Sequence, residues 1–309
     1  MSVAFLFPGQ GSQVPGMLHT LPEHGSVRAA LEEAREFLGR DVLELDTAAA
    51  LQSTAPVQLA LVISGVAVAR ALIAEGVEPT AVAGLSAGAF SAAVISGVLK
   101  FTDALRLIRQ RAEMMSSLYP RGYGLAVIIG LTEDQVMDIT RQVGSATDPL
   151  YISNVNAPRQ IGIAGSDQAM ANALALARSR GARKAIRLRV SVPSHCPLLE
   201  PVAEALKKEL AGIALEKPRI IYVGNITGRA LRSAAAIAED ACGNVAHAIR
   251  WHDSTAVLEE LGCRTFLEMP PGHVLSDLAR EAFKEVRPIA IGKTSLGYAA
   301  RVSALQSHA

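Results

Sequence analysis

Short apolar runs alternate with longer stretches of mixed polarity along most of the chain. Apolar runs bounded by Gly, Pro or polar residues predict buried strands, and the longer periodic stretches predict helices. Such alternation is typical of an α/β fold in which helices cover a mainly parallel sheet. The predicted strands are 1–7, 81–83, 219–223, 265–268 and 288–291, and the predicted helices are 56–76, 89–95, 102–118, 197–211, a segment after Ser233, and 254–261.

The middle of the chain follows a different order. Its strand-like and helix-like stretches succeed each other as β-α-β-β-α-β, which is the signature of a ferredoxin-like unit. The strands are predicted at 125–130, 151–154, 161–165 and 185–188, and the helices at 132–143 and 167–180. We therefore predict a ferredoxin-like small domain over 123–191, inserted into a large domain formed by 1–122 and 192–309.

Composition narrows the class of protein. The chain has 30 basic and 29 acidic residues, and this balance argues against a nucleic-acid or membrane-surface partner. No apolar run free of charge, Gly or Pro reaches the length of a membrane helix, and the N-terminus lacks the basic region of a signal peptide. Cys196, Cys242 and Cys263 form no C-x-x-C pair, so neither a disulfide framework nor a zinc site is indicated. We expect a cytoplasmic protein with no bound metal or cofactor.

The stretch Gly84-Leu85-Ser86-Ala87-Gly88 is the most informative motif for function. It has the Gly-x-Ser-x-Gly pattern of a nucleophile elbow and lies between a strand-like and a helix-like run. The glycines permit a sharp turn, and the following helix directs free N–H groups toward the serine. Ser86 is therefore the candidate nucleophile. A chance match is the alternative, because roughly one chain in ten of this glycine content contains the bare pattern.

A serine hydroxyl needs a base within hydrogen-bonding reach to become a good nucleophile. Among the histidines, His195 is the first candidate because Pro193 and Pro197 hold it on a rigid loop at the return from the small domain. A structural role as a cap of the helix near Pro197 is the alternative. His273 is the second candidate base. The other histidines are expected at the surface (His19, His24, His308) or in helix-like sequence (His247, His252).

Arg111 lies beside the apolar face of the predicted helix 102–118. Burying a guanidinium is costly without an anion, so either a carboxylate of the protein or a ligand should pair with it. An internal ion pair is the more common outcome. A ligand carboxylate could instead accept two parallel hydrogen bonds, and Arg111 would then select acyl groups that carry a free carboxylate.

The loop Gly9-Gln10-Gly11-Ser12-Gln13 follows the first predicted strand. Its spacing does not fit a phosphate-binding P-loop, so we reject nucleotide binding there. Such a loop can place the backbone N–H of Gln10 opposite that of Ala87, the residue after the nucleophile, to form an oxyanion hole with two donors. A plain turn is the alternative, and the residues alone leave both open.

Several motifs together resemble those of malonyl-CoA:acyl-carrier-protein transacylases, over essentially the whole chain. The motifs are Phe7-Pro8-Gly9-Gln10-Gly11-Ser12-Gln13, the Ser86 elbow, Gln110-Arg111, Asn156-Ala157-Pro158-Arg159-Gln160, Val192-Pro193-Ser194-His195-Cys196 and Pro271-Gly272-His273-Val274-Leu275. The resemblance implies an α/β-hydrolase-like large domain with a ferredoxin-like insertion. It also implies transfer of a malonyl group from malonyl-CoA to the phosphopantetheine thiol of an acyl carrier protein.

The resemblance further implies a role for each candidate residue. Ser86 would be the acylated nucleophile, His195 the base and Arg111 the anchor of the malonyl carboxylate. The remaining implied site residues are Gln10 and Ala87 as oxyanion hole, Gln160 as a substrate contact, and Asn244, whose backbone carbonyl would orient the histidine in place of a triad acid.

The elbow departs from the family pattern G-H-S-x-G-E, because Leu85 and Ala89 stand where the family has His and Glu. This variant, together with Glu268-Met269-Pro270-Pro271-Gly272, resembles the epsilon subunit of bacterial malonate decarboxylase, which loads the carrier subunit of that complex. We prefer this interpretation to a transacylase of fatty-acid or polyketide synthesis. Two other classes stay open, a serine thioesterase or hydrolase and a non-catalytic assembly subunit with a decayed elbow.

Overall fold

Two β-sheets organise the chain, which the computed structural model describes over residues 2–188 and 190–307. The strands are β1 (Ser2–Phe7), β2 (Pro79–Gly84), β3 (Tyr123–Ile129), β4 (Leu150–Ala157), β5 (Gln160–Ser166), β6 (Lys184–Arg187), β7 (Ile221–Val223), β8 (Ala230–Leu231), β9 (Cys263–Glu268) and β10 (Arg287–Ala290). The helices are α1 (Gly25–Leu38), α2 (Thr54–Ala74), α3 (Gly88–Ile95), α4 (Phe101–Leu118), α5 (Glu133–Val143), α6 (Asp167–Ser179), α7 (Glu200–Leu210), α8 (Ala234–Gly243), α9 (Trp251–Glu260), α10 (Val274–Ala282) and α11 (Leu296–Ser307).

The larger sheet has six strands in the order β10-β9-β1-β2-β7-β8. All neighbouring strands run parallel except β7 and β8, which confirms the predicted mainly parallel α/β sheet. Parallel strands bring their carboxyl ends to one edge, where ligands bind in open α/β sheets. The loop after β1 and the turn after β2 meet at this edge, since the backbone N–H of Leu85 donates to the carbonyl of Phe7 at 2.9 Å.

The smaller sheet is antiparallel and has the order β4-β5-β3-β6. Helices α5 and α6 pack their apolar residues against it to form a separate core. The strand order and the β-α-β-β-α-β succession confirm the predicted ferredoxin-like insertion. All four strands lie within 123–191, and the boundaries of the two domains stay a prediction.

Helix α2 is the central helix of the larger core. By length and composition alone it could cross a membrane, although the sequence has no run of that length free of charge, Gly and Pro. Pro56 lies in its first turn, where proline is tolerated, and Gly65 is held within the helix by close packing on Phe7, so neither residue interrupts it. Its most apolar window is 83% buried inside the protein, which identifies α2 as a core helix.

Helices α1, α10 and α11 were not predicted, and for two of them the structure shows why. His24 caps α1 by accepting a hydrogen bond from the backbone N–H of Ser26, and histidine is not among the residues that usually indicate a cap. The Glu268 carboxylate caps α10 from the end of β9, accepting from the N–H groups of Leu275 and Ser276. Neither cap follows the local pattern that a sequence argument uses.

Candidate active site

Ser86 lies in the sharp turn between β2 and α3 with a φ of 58°, which non-glycine residues seldom adopt. The turn packs so closely that only glycine fits on either side of it. A Cβ on Gly84 would overlap the carbonyl of Gly88, and a Cβ on Gly88 would overlap that of Phe7. This is the geometry of a strained nucleophile elbow, and it gives the Gly-x-Ser-x-Gly pattern a structural reason.

The elbow opens into a cleft of about 260 Å³ between the two sheets. Its lining includes Gln10, Ser86, Arg111, His195 and Gln160, so the structure brings these five predicted site residues together. A cavity of about 490 Å³, lined by Arg159 and Arg183, shares Gln160 with the cleft but contains neither the serine nor the histidine. We therefore take the smaller cleft as the candidate active site.

His195 is oriented by the backbone around Asn244. Its Nδ1 lies 2.7 Å from the carbonyl oxygen of Asn244, and its backbone N–H donates to Val245 at 2.7 Å. Because a carbonyl can only accept, Nδ1 carries the proton and Nε2 is left as an acceptor. Burial, and to a lesser extent the charge of Arg111, together lower the pKa of His195 to about 3, although the hydrogen bond to the Asn244 carbonyl acts in the opposite direction. The ring is therefore neutral at physiological pH and able to accept a proton.

The structure supports neither a capping role for His195 nor His273 as the base. The 3₁₀ turn Pro197–Leu199 has no side-chain cap, so His195 does not act as one. His273 lies 2.7 Å from the Asp277 carboxylate with a side chain 43% exposed, and it is not part of the cleft lining. His308 lies outside the described residues.

Arg111 contributes a buried cation to the cleft from α4, with only 1% of the residue exposed. Its Nη1 donates to Gln58 Oε1 at 2.6 Å, and its Nη2 donates to Ser86 Oγ at 3.1 Å. Within the described ranges no Asp or Glu pairs with Arg111, and its Nε has no hydrogen-bond partner. Burial lowers its pKa to about 10, which leaves it charged at neutral pH. The internal ion pair that we expected as the more common outcome is therefore not formed.

The resting site differs from the sequence expectation in one contact. Ser86 Oγ is bonded to Arg111, and the described residues show no hydrogen bond between Oγ and the His195 ring. Free enzymes often complete such contacts only when substrate is bound. A ligand that draws Arg111 away would release the hydroxyl for the base.

Some backbone N–H groups of the elbow already donate to an acceptor in the protein, and others do not. Ser86 N–H donates to Asn225 Oδ1 at 3.0 Å, and Gly88 N–H to the carbonyl of Leu85 at 3.0 Å. Among residues 2–188 and 190–307, the N–H groups of Ala87 and Gln10 have no partner. Both are thus free to donate to a ligand, and their role as an oxyanion hole stays a prediction.

Three polar residues of the site were not recognised as such from the sequence. Gln58 is buried on α2 against Arg111, and its isolation in an apolar stretch was a usable signal. Asn156 lines the cleft with a buried Oδ1 that has no partner in the part of the chain described here, and it belongs to the quoted Asn156–Gln160 motif. Asn225, which contacts the elbow, has no distinguishing sequence pattern. Over the same residues no cluster of His, Cys, Asp and Glu could hold a metal ion.

A mainly parallel α/β sheet with a serine elbow and a buried histidine is typical of enzymes that act on acyl groups, and a family comparison narrows the class. Residues 4–301 match the acyl transferase domain family, and the chain belongs to that family. Within it, the chain is 33% identical over 294 residues to the malonyl CoA-acyl carrier protein transacylase of Bacillus subtilis, covering 94% of this chain and 93% of that protein. The protein is an enzyme of the malonyl-CoA:acyl-carrier-protein transacylase family.

Solved structures agree with this assignment. The malonyl CoA-acyl carrier protein transacylase of Coxiella burnetii superposes with a TM-score of 0.92 at 31% identity, covering 97% of this chain and 96% of that one. A malonyl-transacylase in complex with its type II polyketide acyl-carrier protein gives a TM-score of 0.91 at 32% identity, covering 99% and 100%. The α/β fold with an inserted small domain is thus that of the family.

Proposed function

We propose that this enzyme transfers a malonyl group from malonyl-CoA to the phosphopantetheine thiol of an acyl carrier protein through a malonyl-Ser86 intermediate. The observation that carries the proposal is the buried Arg111 guanidinium, which has no carboxylate partner in the described chain and lies 3.1 Å from Ser86 Oγ. A buried cation beside the nucleophile favours an acyl group that brings its own carboxylate.

In the proposed first half-reaction, Ser86 Oγ attacks the thioester carbonyl while His195 Nε2 takes its proton. The N–H groups of Ala87 and Gln10 stabilise the oxyanion. The C–S bond then breaks, and CoA leaves as a thiol with the proton from His195. In the second half-reaction the carrier thiol gives its proton to His195 and attacks the malonyl ester, and Ser86 recovers its proton as it leaves.

The proposed substrate contacts explain how the resting site is converted into the reactive one. The malonyl carboxylate replaces Ser86 Oγ as an acceptor of Arg111 and engages the free Nε. Ser86 is thereby released for His195, while Gln160 and Asn156 line the route of the thioester arm. The Asn244 carbonyl takes the place of a triad acid by fixing the tautomer of His195.

The proposal also concerns which carrier protein accepts the malonyl group. The relatives named above favour a carrier protein of fatty-acid or polyketide synthesis over the malonate decarboxylase carrier that we preferred from the sequence. The second candidate still has a specific basis, because Leu85 and Ala89 and the Glu268–Gly272 stretch depart from the usual family pattern. With either acceptor we place the enzyme in the cytoplasm.

Mass spectrometry tests the intermediate. Incubation with malonyl-CoA should add one malonyl group at Ser86, and Ser86→Ala should abolish both the adduct and CoA release. His195→Ala should be nearly as damaging and the double variant barely worse, because a nucleophile and its base fail together. Ser117→Ala, an exposed serine on α4, is the matched control. Labelling at another residue, or turnover by Ser86→Ala, would contradict the assignment.

Transfer assays with two purified carriers then decide the acceptor. One carrier comes from fatty-acid synthesis and the other from malonate decarboxylase. Faster transfer to the carrier from fatty-acid synthesis supports the acceptor that the relatives favour. Faster transfer to the carrier from malonate decarboxylase supports the second candidate. Sustained release of free malonate without a carrier would instead indicate a thioesterase.

A further inference from the structure

Asn225 connects the nucleophile elbow to a buried carboxylate. It follows β7 and is 2% exposed. Its Oδ1 accepts a hydrogen bond from the backbone N–H of Ser86 at 3.0 Å, and its Nδ2 lies 3.4 Å from Asp240 Oδ2. Its own backbone N–H donates to that same carboxylate oxygen at 3.0 Å. Asn225 is thus held on two sides while its amide reaches the nucleophile.

Asp240 lies on α8 and is 5% exposed. Besides the two donors of Asn225, it accepts from the Tyr222 hydroxyl at 2.9 Å and from the Ile226 N–H at 2.9 Å. In the described residues no Lys, Arg or His forms an ion pair with it. A carboxylate surrounded only by neutral donors needs all of them, because each missing hydrogen bond would leave buried charge unsatisfied.

This arrangement decides which way the Asn225 amide faces. An ionised carboxylate can only accept, so the NH₂ group of Asn225 must be directed toward Asp240. The amide oxygen is then directed toward Ser86. Without Asp240 the amide could rotate and present its NH₂ group to the N–H of Ser86, which would be repulsive.

The contact falls on the backbone N–H of the strained nucleophile itself. Ser86 has a strained φ of 58°, and its N–H has no acceptor within the turn. Strained residues of this kind persist only where their surroundings fix them. The neighbouring Ala87 N–H stays available to the cleft. Holding the Ser86 peptide therefore fixes both the direction of Oγ and the direction of the Ala87 donor.

We propose that Asn225, oriented by Asp240, is a positioning residue for the nucleophile of this enzyme. Neither side chain touches the substrate; they act by holding the elbow so that Ser86 Oγ and the Ala87 N–H face the same acyl carbon. This inference rests on the proposed role of Ser86 as nucleophile. It predicts a defect in acylation rate and not in substrate binding.

The test measures the rate of Ser86 malonylation by rapid quench, with malonate as a competitive ligand for the Arg111 pocket. In Asn225→Ala the acylation rate should fall roughly 10- to 100-fold, since small displacements of reacting groups cost about that much. The KM for malonyl-CoA and the inhibition constant of malonate should stay within about twofold. Asp240→Asn should lose about fivefold in rate, because it keeps the shape but loses one acceptor.

Ile237→Ala is the matched structural control, because it opens a cavity beneath the same helix α8 while its apolar side chain makes no hydrogen bond to Ser86, Asn225 or Asp240. It should lower the Tm and leave the acylation rate unchanged. An unchanged rate in folded Asn225→Ala, or an equal rate loss in Ile237→Ala at the same Tm, would overturn the inference. If Asn225→Ala does not fold, Asp240→Asn decides alone. Wild-type protein that forms no adduct at Ser86 would instead contradict the proposed function itself.

Discussion

At the scale of single residues, Arg111 is what separates this site from that of an ordinary serine hydrolase. Its guanidinium is buried and charged, yet its hydrogen-bond partners Gln58, Ser86 and Asn244 are all neutral. The cost of burying that charge is only partly offset by neutral acceptors. In the proposed mechanism a substrate carboxylate would complete the pairing, so that the binding of a malonyl group and the release of Ser86 would become one event.

Arg111→Ala should therefore change the selectivity of the enzyme. The kcat/KM for malonyl-CoA should fall on the order of 10³-fold, because breaking one side of a buried charge pair costs about 3–5 kcal/mol. Activity with acetyl-CoA should hold or rise, since the unpaired guanidinium that rejects it is gone. The measurement is kcat/KM for both thioesters in both proteins, with circular dichroism to verify folding.

Arg109→Ala provides the control, because Arg109 lies on the same helix but is exposed. It should leave the ratio of the two rates unchanged. An equal loss for both thioesters in Arg111→Ala would make Arg111 a structural residue and remove the main support for a dicarboxylic acyl group.

At the scale of elements, helices α2 and α4 lie against each other and present Gln58 and Arg111 to the cleft as a pair. Gln58→Glu would give Arg111 the internal carboxylate that it lacks. We expect a folded protein whose Tm is unchanged or higher, but whose kcat/KM for malonyl-CoA is lowered at least about tenfold. The reason is that the substrate must now displace a bonded carboxylate, and each 1.4 kcal/mol corresponds to a factor of ten.

Steady-state kinetics and thermal unfolding check this prediction. Gln168→Glu, on the small-domain helix α6, introduces the same charge at an exposed position and should change neither quantity. If Gln58→Glu bound malonyl-CoA normally, Arg111 would not be the group that receives the carboxylate.

The elements that the sequence predicted well are those with a strong internal pattern. Helix α4 was predicted at 102–118 and is observed at Phe101–Leu118, because its apolar stripe is regular. The three main candidate residues each have a local sequence signal. Ser86 lies in a Gly-x-Ser-x-Gly motif, His195 lies on a loop between two prolines, and Arg111 is a charged residue beside the apolar face of a helix. Asn225 could not be found, because its contact with Ser86 joins residues 139 positions apart and depends on the packing of β7 beside β2.

At the scale of the whole molecule, the cleft depends on how the ferredoxin-like sheet is attached. Strand β4 pairs through an isolated parallel bridge with Ile249 of the large domain. The Ile249 carbonyl accepts from the N–H of Val155 at 2.7 Å, and the Ile249 N–H donates to the carbonyl of Ser153 at 2.8 Å. The next residue, Arg250, reaches Glu133 of α5 at 2.5 Å. The same segment begins five residues after Asn244, so the backbone that orients His195 also carries the small domain.

The free energy of unfolding should depend on pH because His195 is buried in the folded protein. Its pKa is about 3 in the folded protein against 6.5 for the free side chain, so below pH 6.5 the unfolded chain binds a proton that the folded chain cannot. Wild-type stability therefore falls as the pH is lowered, and His195→Gln lacks this contribution. Between pH 7.5 and pH 4 the difference in unfolding free energy between wild type and variant should shift by on the order of 3 kcal/mol in favour of the variant.

Urea denaturation of both proteins at the two pH values measures this shift, since the other titrating groups cancel in the difference. A difference independent of pH would mean that His195 binds its proton equally well in the folded and unfolded states, and the lowered pKa of the folded protein would then have no support.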